Sequence, residues 1–312
     1  MSDRLHGVIR LGTRASALAM AQAGGVAATV IAELGRQVEL VQVQTQGDLS
    51  SAAIPSLGGT GVFVTALREA LLRGDVDIAV HSYKDLPTAP ADGLATVAVP
   101  RRQDARDVLI ARDDLTLGEL PAGARIGTGS PRRTAQLLAL GLGLEVVAIR
   151  GNVDTRIGKV RSGEVDGVVL ARAGLARLDR LAEVTEVIDP LQMLPAPAQG
   201  ALCIEVRADD AELLELLAAL DDPDTRAAVD AERALLGALE AGCTAPVGAM
   251  AEVAEGDDGS ELFLRGLVAA VDGTDSLRLS ATGSTTDAKG VGSRLAAELL
   301  DLGAADLMGV TR

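Results

Sequence analysis

The chain has 312 residues with a net charge of −15 at pH 7, and 48% of its residues are apolar. This length suggests about two domains, and the apolar fraction is typical of globular proteins rather than disordered or fibrous ones. With no Trp, one Tyr and two Phe, a nucleic-acid surface would lack stacking side chains, and the acidic charge argues against binding nucleic acid or an anionic membrane. Two His and two Cys exclude a multi-histidine metal site, a four-cysteine zinc site and a disulfide scaffold.

Short β-rich runs alternate with helical runs over the first two hundred residues, which predicts an α/β fold. The predicted strands are Val8–Leu11, Val38–Val43, Asp77–His81, Leu94–Val99, Val108–Ala111, Arg125–Gly127, Val146–Arg150, Gly167–Leu170 and Val184–Ile188. The predicted helices are Ser16–Leu34, Val62–Arg73, Pro131–Leu140 and Val153–Arg161. Residues 15–32 carry no charge, but polar residues and a Gly pair interrupt them, so we expect a cytoplasmic protein rather than an exported or membrane-inserted one.

The last third of the chain has a different pattern, which predicts a small α+β domain with an antiparallel sheet. A strand and two helices are predicted first, at Ala201–Arg207, Ala211–Leu220 and Thr225–Leu239. Three strands with hairpin turn signals and a final helix follow, at Val247–Val253, Leu262–Ala270, Ser276–Thr282 and about Ala288–Leu302.

Two places in the first two hundred residues repeat the same pattern. Leu-Gly-Thr at 11–13 and Ile-Gly-Thr at 126–128 each close a strand, and Ser16 and Ser130 follow where a helix cap is expected. The start of a helix presents free backbone N–H groups, so both places suit an anion. The echo indicates two similar lobes facing a cleft; the alternative is two ordinary strand–turn–helix connections.

Basic residues are concentrated between Arg125 and Arg180. This segment has ten basic and five acidic residues, a net charge of +5 that leaves −20 for the rest of the chain. Nine of the ten are Arg, which grips carboxylate or phosphate groups bidentately. The clustering at strand–helix junctions favours an anion-binding cleft over a solvated basic face.

Two further residues are candidates for chemistry. Asp85 follows an apolar strand end and is placed to act as a general acid or base, although capping a turn before Pro87 is the alternative. Cys243 lies in a Gly- and Pro-flanked loop and is a candidate nucleophile or attachment point; an inert exposed thiol is the alternative. Cys203, within a predicted strand, is expected to be a buried small hydrophobe.

Eight stretches, in this order from residue 11 to residue 249, closely resemble the porphobilinogen deaminase (hydroxymethylbilane synthase) family of tetrapyrrole biosynthesis. They are L-G-T-R-A-S-A-L-A-M-A-Q-A (11–23), T-Q-G-D (45–48), G-G-T-G-V-F-V (58–64), V-D-I-A-V-H-S-Y-K-D-L-P-T (76–88), I-G-T-G-S-P-R-R-T-A-Q-L (126–137), I-R-G-N-V-D-T-R (149–156), P-A-Q-G-A-L-C-I-E (197–205) and E-A-G-C-T-A-P-V-G-A (240–249).

The resemblance implies a fold class and a domain order. The fold is α/β, with two periplasmic-binding-protein-like lobes plus a small α+β C-terminal domain with an antiparallel sheet. The implied domains are lobe 1, with the catalytic Asp and an anion site, at 1–101 plus 200–220; the Arg-rich lobe 2 at 102–199; and the cofactor-attachment domain at 221–312.

The resemblance also implies the activity. Four porphobilinogen molecules lose ammonia through an azafulvene and condense head to tail onto a dipyrromethane cofactor, and hydrolysis then releases linear hydroxymethylbilane. The cofactor, built by the enzyme itself, is held by a thioether to Cys243, and Asp85 is the catalytic residue. A growing oligopyrrole with roughly a dozen carboxylates suits an Arg-lined cleft. The residues implied to bind these carboxylates are Arg14, Ser16, Lys84, Thr128, Ser130, Arg132, Arg133, Arg150, Arg156 and Arg177.

The chain departs from the family pattern in the Gly- and Ser-rich loop at 49–61, expected to be a lid with Phe63 beside it. Ser56 and Thr60 stand where related sequences often carry Lys. The expected partners are porphobilinogen and the growing oligopyrrole, with no nucleic acid, no membrane and no metal, in a monomer. The alternatives are a non-catalytic two-lobed carboxylate receptor or sensor, which gives Cys243 no role, and another α/β transferase with a Cys nucleophile, which lacks a partner base.

Overall fold

The computed structural model describes residues 7–43, 61–240, 245–256 and 259–308, with backbone alone at 61–63. The strands in these ranges are β1 (Ile9–Thr13), β2 (Val38–Gln42), β3 (Ile78–Ser82), β4 (Leu94–Ala98), β5 (Asp107–Ala111), β6 (Arg125–Thr128), β7 (Glu145–Ala148), β8 (Gly167–Ala171), β9 (Glu186–Val187), β10 (Leu202–Arg207), β11 (Val247–Gly256), β12 (Gly259–Ala269) and β13 (Ser276–Ser284). The α-helices are α1 (Ala17–Leu34), α2 (Gly61–Arg73), α3 (Pro131–Ala139), α4 (Val153–Arg161), α5 (Arg172–Arg177), α6 (Ala211–Leu217), α7 (Pro223–Ala238), α8 (Ala288–Asp301) and α9 (Ala304–Leu307).

The chain divides into two compact units. Unit 1 comprises Met1–Arg102 and Ala201–Arg226, and unit 2 comprises Gln103–Gly200 and Ala227–Arg312. The three-domain division implied by the resemblance stays a prediction, because a split into two units does not test how unit 2 is subdivided.

Unit 1 is built on a five-stranded mixed sheet with strand order β2-β1-β3-β10-β4. β1 pairs in parallel with β2 and with β3, whereas β10 runs antiparallel to both of its neighbours. Helix α2 packs closely on β1: a Cβ added at Gly12 would lie 2.7 Å from a methyl carbon of Leu67. Because β1, β2 and β3 run parallel, their carboxyl ends lie together at one edge of the sheet, and the residues that follow these strands share that edge.

Helix α1 has the length and apolar composition of a membrane-spanning segment, the one such helix in the described part of the chain. In unit 1 its residues Ala23, Val26, Ala27 and Val30 are buried in the same apolar cluster as Leu11 of β1. Its apolar face therefore supplies one layer of the core, which is the common use of an amphipathic helix in a globular protein.

Unit 2 contains a five-stranded sheet of the same build, with strand order β7-β6-β8-β5-β9. β6 pairs in parallel with β7 and with β8, and β5 runs antiparallel to β8 and β9. In each of these sheets, three neighbouring parallel strands are therefore followed, in spatial order, by one antiparallel strand and then a fifth strand at the edge. The echo between the two Gly-Thr stretches therefore reflects two similar sheets, as predicted.

A second sheet in unit 2 is antiparallel, with strand order β11-β12-β13. One of its faces packs on α7 and α8 in a single apolar cluster that includes Leu235, Leu264 and Leu295. The predicted α/β fold class with a small antiparallel α+β portion is confirmed. Helix α5 was not predicted, because six residues with a glycine among them show no clear helical periodicity.

Candidate active site

In unit 1, four candidate residues follow the two neighbouring parallel strands β1 and β3. Arg14 and Ser16 come directly after β1, while Lys84 and Asp85 lie in a 3-10 turn at Tyr83–Asp85 directly after β3. Since β1 and β3 pair in parallel, with Leu11 opposite Ile78, all four residues lie at the carboxyl edge of this sheet. Ligands of α/β proteins bind at this edge.

Ser16 and Asp85 differ in how their side chains are used. The Ser16 hydroxyl accepts a hydrogen bond from the Ala19 N–H at 3.3 Å and caps α1, as predicted. Asp85 is exposed, and its carboxylate makes no hydrogen bond or ion pair within the described ranges. No hydrogen bond from the Asp85 side chain to the turn before Pro87 is found among the described residues, so the catalytic role of Asp85 stays a prediction beside the capping alternative.

A buried ionic cluster behind this edge was not predicted from the sequence. Glu205 on β10 accepts two hydrogen bonds from Arg68 on α2, at 2.9 and 2.7 Å, and its Oε2 lies 3.1 Å from Nε2 of His81. Burial alone raises the pKa of Glu205, but His81 and Arg68 lower it, to about 2. The carboxylate is thus ionised at neutral pH and ties three elements together just before the Lys84–Asp85 turn.

In unit 2, the candidate residues follow the three parallel strands β7, β6 and β8. Thr128 ends β6 and Ser130 follows it, Arg150 and Arg156 follow β7, and Arg177 ends helix α5 behind β8. The register places Thr128 opposite Ala148 and Gly127 opposite Val168, so the segments that follow these strands share one edge of the sheet.

The turn between β6 and α3 leaves little room for side chains. A Cβ added at Gly129 would lie 2.8 Å from the carbonyl oxygen of Ile149. Ser130 precedes α3 as predicted, but its side chain accepts no capping hydrogen bond; its backbone N–H donates to Thr128 Oγ1 at 3.2 Å instead. The predicted cap bond at Ser130 is therefore not made, because the turn is closed by Thr128.

Arg132 and Arg133 are both buried and share one carboxylate. Nη2 of Arg132 donates to Oδ2 of Asp107, and Nη2 of Arg133 donates to Oδ1, each at 2.8 Å. Their Nη1 groups donate to the backbone carbonyls of Leu194 and Val169. With two guanidinium groups on one carboxylate, the cluster keeps a surplus positive charge, and neither Nε has a hydrogen-bond partner in the described part of the chain.

Asp107 holds this cluster together and was missed by the sequence analysis, as was Gln199. The Asp107 side chain is 0% exposed and also accepts from Nε2 of Gln199 at 2.7 Å. Burial alone raises its pKa, but Arg132 and Arg133 lower it well below the usual range. One signal for Asp107 was present in the sequence: an Asp at the start of an apolar strand is expected to be buried. A buried carboxylate requires a cation close to it.

The other three candidate arginines of unit 2 lack a carboxylate partner among the described residues. Arg150 is exposed. Nε of Arg156 donates to the Gly151 carbonyl at 2.8 Å, and burial together with Arg133 lowers the pKa of Arg156. Nη2 of Arg177 donates to the Gly200 carbonyl at 2.6 Å, and burial lowers the pKa of Arg177 to about 10. These arginines therefore carry positive charge that this part of the protein does not neutralise.

Several sequence predictions lie outside the described residues. Cys243 belongs to residues 241–244, between α7 and β11, and the predicted lid at 49–61 and the side chain of Phe63 are also outside. Cys203 is fully buried in β10, as predicted, with its Sγ 3.4 Å from Oγ1 of Thr96. No group of three or more potential metal ligands occurs among the residues that the structure describes.

Two family models match this chain. The family model "Porphobilinogen deaminase, dipyromethane cofactor binding domain" matches residues 9–215, and "Porphobilinogen deaminase, C-terminal domain" matches residues 226–301. The chain belongs to the porphobilinogen deaminase family. The first match includes every candidate carboxylate-binding residue, and Cys243 lies in the second.

Relatives with this name match the chain nearly end to end. The porphobilinogen deaminase of Nocardia farcinica is 59% identical over 305 residues, covering 96% of this chain and 88% of that protein. The porphobilinogen deaminase of Mycobacterium tuberculosis is 60% identical over 306 residues, covering 96% of this chain and 98% of that protein. Among solved structures, a periplasmic substrate-binding protein of an ABC transporter from Coxiella burnetii matches with a TM-score of 0.44 and 15% identity, covering 70% of this chain and 94% of that one. Membership of the porphobilinogen deaminase family favours the enzyme over a carboxylate receptor.

Proposed function

We propose that the chain condenses four porphobilinogen molecules head to tail, with loss of one ammonia at each step, and hydrolyses the product to linear hydroxymethylbilane. Each condensation forms one carbon–carbon bond between a pyrrole α-carbon and an aminomethyl carbon, while the amine leaves as ammonia. One water molecule is consumed at release. The family membership supports the substrate and the reaction. The positions of Asp85 and of the candidate arginines at the carboxyl edges of their sheets support the roles assigned to these residues.

The observation that carries the proposal is the set of arginines without carboxylate partners in unit 2. Arg150, Arg156 and Arg177 have none among the described residues, and the Arg132–Asp107–Arg133 cluster has one surplus charge. Guanidinium groups bind carboxylates in bidentate fashion. This charge fits a polycarboxylate such as dipyrromethane or a growing oligopyrrole, whose rings carry acetate and propionate groups, better than a neutral ligand.

We assign the cofactor to Cys243, through a thioether. When bound, dipyrromethane supplies the free pyrrole α-carbon on which the chain is extended. The arginines of unit 2 are assigned to its carboxylates, and Arg14 and Lys84 are assigned to carboxylate binding at the edge of the unit 1 sheet. Asp85 contributes an exposed carboxylate that can accept pyrrole N–H groups, stabilise positive charge that develops on substrate and move a proton.

Intact-protein mass spectrometry tests the attachment. Purified holoenzyme is expected to exceed its sequence mass by one dipyrromethane, and added porphobilinogen is expected to produce a ladder of ring additions. Cys243→Ser removes the adduct and the ladder, whereas Cys203→Ser, at the buried strand thiol, keeps both. An adduct that persists in Cys243→Ser contradicts the attachment, and protein that never gains mass with porphobilinogen contradicts the whole proposal.

Turnover of Asp85→Asn tests the catalytic role. The variant is expected to keep its circular dichroism spectrum and to lose nearly all ammonia release from porphobilinogen. Asp92→Asn is the matched control, because Asp92 is another exposed carboxylate of unit 1 and is not placed in the site. Substantial turnover by Asp85→Asn, or an equal loss in the control, would refute the assignment.

Location and assembly are separate proposals. We place the protein in the cytoplasm as a monomer, which the packing of α1 into the core of unit 1 and the family resemblance support. Cell fractionation and light scattering of the purified protein test them; a membrane-bound fraction or a stable dimer would contradict them.

A further inference from the structure

A cavity of about 220 Å³ in unit 2 is lined by none of the residues assigned to the reaction. It is bordered by the second half of α3, the segment after β9 and the strands β12 and β13. The lining residues used below are Gln136, Ala139, Leu191, Leu267, Ser276 and Arg278. Arg132 and Arg133 lie at the opposite end of α3, so the cavity is a second candidate site on the same helix.

The β12–β13 turn, which lies between the lining residues Ala269 and Ser276, is held tightly against α3. Gly273 in this turn has a φ of +73°, and a Cβ added there would lie 2.6 Å from Cβ of Leu138 and 2.8 Å from the carbonyl oxygen of Ala135. Only glycine tolerates both the left-handed conformation and this close approach. The turn between the two lining strands is therefore fixed against α3 by close packing.

Among the residues that the structure describes, Arg278 is the one cationic side chain that lines this cavity, and it is paired only with neutral oxygens. Its Nη2 lies 3.3 Å from Oε1 of Gln136 and 3.3 Å from the carbonyl oxygen of Gln192, and its Nη1 lies 3.5 Å from the carbonyl oxygen of Pro190. These are long contacts for a guanidinium group. No carboxylate in the described ranges pairs with it, and burial together with nearby Arg265 lowers the pKa of Arg278.

The acidic residues close in sequence are already engaged elsewhere. Asp272 accepts from the N–H and hydroxyl of Thr274, and Asp275 accepts from the N–H of Ser276, so both close the β12–β13 turn. Glu252 pairs with Arg265 at 2.9 Å on the neighbouring strands. The positive charge of Arg278 therefore faces the cavity without a neutralising group from these residues.

The rest of the lining combines apolar side chains with the amides of Gln136 and Gln192 and the hydroxyl of Ser276. Leu267 and Ala269 are buried at its base, and Leu191 is 75% exposed at its rim, where it offers apolar surface to a bound molecule. The volume is below the roughly 300–1,000 Å³ of pockets for drug-sized ligands. A molecule that combines one anionic group with a short chain or a single ring matches this size and polarity.

We propose that this cavity binds a small organic carboxylate, with its anionic group on Arg278 and its apolar body against Leu191 and Leu267. The ligand replaces the long contacts of the guanidinium group with charge-assisted hydrogen bonds. One of these contacts is to Gln136, whose amide also bonds the backbone of Leu194, which accepts from Arg132. The site thus lies one side chain away from the buried arginine pair.

Calorimetric titration of the full-length protein with benzoate at constant ionic strength tests the proposal. A ligand held by one guanidinium group and an apolar wall is expected to bind with a Kd on the order of 1 mM. Arg278→Gln is expected to weaken binding roughly tenfold or more. Ala139→Leu, at an exposed helical position that lines the cavity, is expected to weaken it by filling the space while the charge stays.

Two controls separate this site from general charge effects. Arg294→Gln removes an exposed arginine of α8 that pairs with Asp287, and it is expected to bind benzoate as the wild type does. Benzamide, which has the same ring without the charge, is expected not to bind. Benzoate binding that survives Arg278→Gln lies elsewhere and overturns the proposal, as does a failure to bind the wild type or an equal loss in Arg294→Gln. None of these readouts depends on turnover, so they are independent of the proposed function.

Discussion

Replacing Asp107 by Asn is the sharpest test of how unit 2 is held together. Asp107 is 0% exposed, and its two oxygens accept hydrogen bonds from Arg132, Arg133 and Gln199. An Asn side chain keeps the size but removes the negative charge and turns one acceptor into a donor that faces a guanidinium group. Two buried cations then lie side by side without a counter-charge.

The expected loss of stability is large because the group is fully buried. Removing one partner of a buried, hydrogen-bonded ion pair costs about 3–5 kcal/mol. The pKa of Asp107 lies well below that of an unfolded Asp, so its contribution is fully present above about pH 4 and is lost as the pH falls through the folded-state value. The difference between wild type and variant should therefore be the same at pH 7 and pH 5 and shrink in stronger acid.

Native-state hydrogen exchange of the β5 and β8 amides measures this difference locally, which suits a chain with two units. Protection of these amides is expected to fall by about two to four orders of magnitude in Asp107→Asn. The matched control is Asp154→Asn, because Asp154 pairs with Arg180 but is 64% exposed, and exposed ion pairs contribute about 0–1 kcal/mol. A loss below about tenfold, or a loss equal to that of the control, would show that the carboxylate does not hold the arginine pair.

Three further predictions concern other described residues. Glu205→Gln should destabilise the protein near neutral pH, because the pKa of Glu205 in the folded protein, about 2, lies below its ordinary value of 4.5. The difference from wild type in urea denaturation should therefore disappear between about pH 4.5 and pH 2, and a difference independent of pH would contradict the ionic role. Gly200→Ala should lower the melting temperature and the free energy of unfolding by more than about 1 kcal/mol, because Gly200 has a φ of +88° and an added Cβ would lie 2.4 Å from the Gln103 carbonyl oxygen. Gly118→Ala, at a glycine with open space around it, should not lower either. Equal melting temperatures for the two variants would refute this. In steady-state assays Arg156→Gln should raise the KM for porphobilinogen about 10- to 100-fold. Arg161→Gln, which removes an arginine that pairs with Glu183, should keep a KM near that of the wild type. A larger rise in KM for Arg161→Gln than for Arg156→Gln would exclude Arg156 from the site.

Local sequence signals were sufficient for most of the helices and strands. Helix α4 has the predicted bounds, because Asn152 supplies a cap whose side chain accepts from the Thr155 N–H at 2.9 Å, and the apolar spacing continues to Arg161. The repeated Gly-Thr ends of two strands indicated two similar sheets. The carboxyl edge could be predicted as the ligand edge, because side chains that follow adjacent parallel strands lie together.

The sequence by itself thus determined the fold class, the family and the edge at which the arginines gather, since these depend on periodicity, turn chemistry and short motifs. Only the tertiary structure decided which arginines are already neutralised. Arg132 and Arg133 find Asp107 on β5, about 25 residues away, whereas Arg150, Arg156 and Arg177 find no carboxylate in the described part of the chain. The physical reason is that burial and charge pairing depend on which strands become neighbours, and that is a property of the folded sheet rather than of any local stretch.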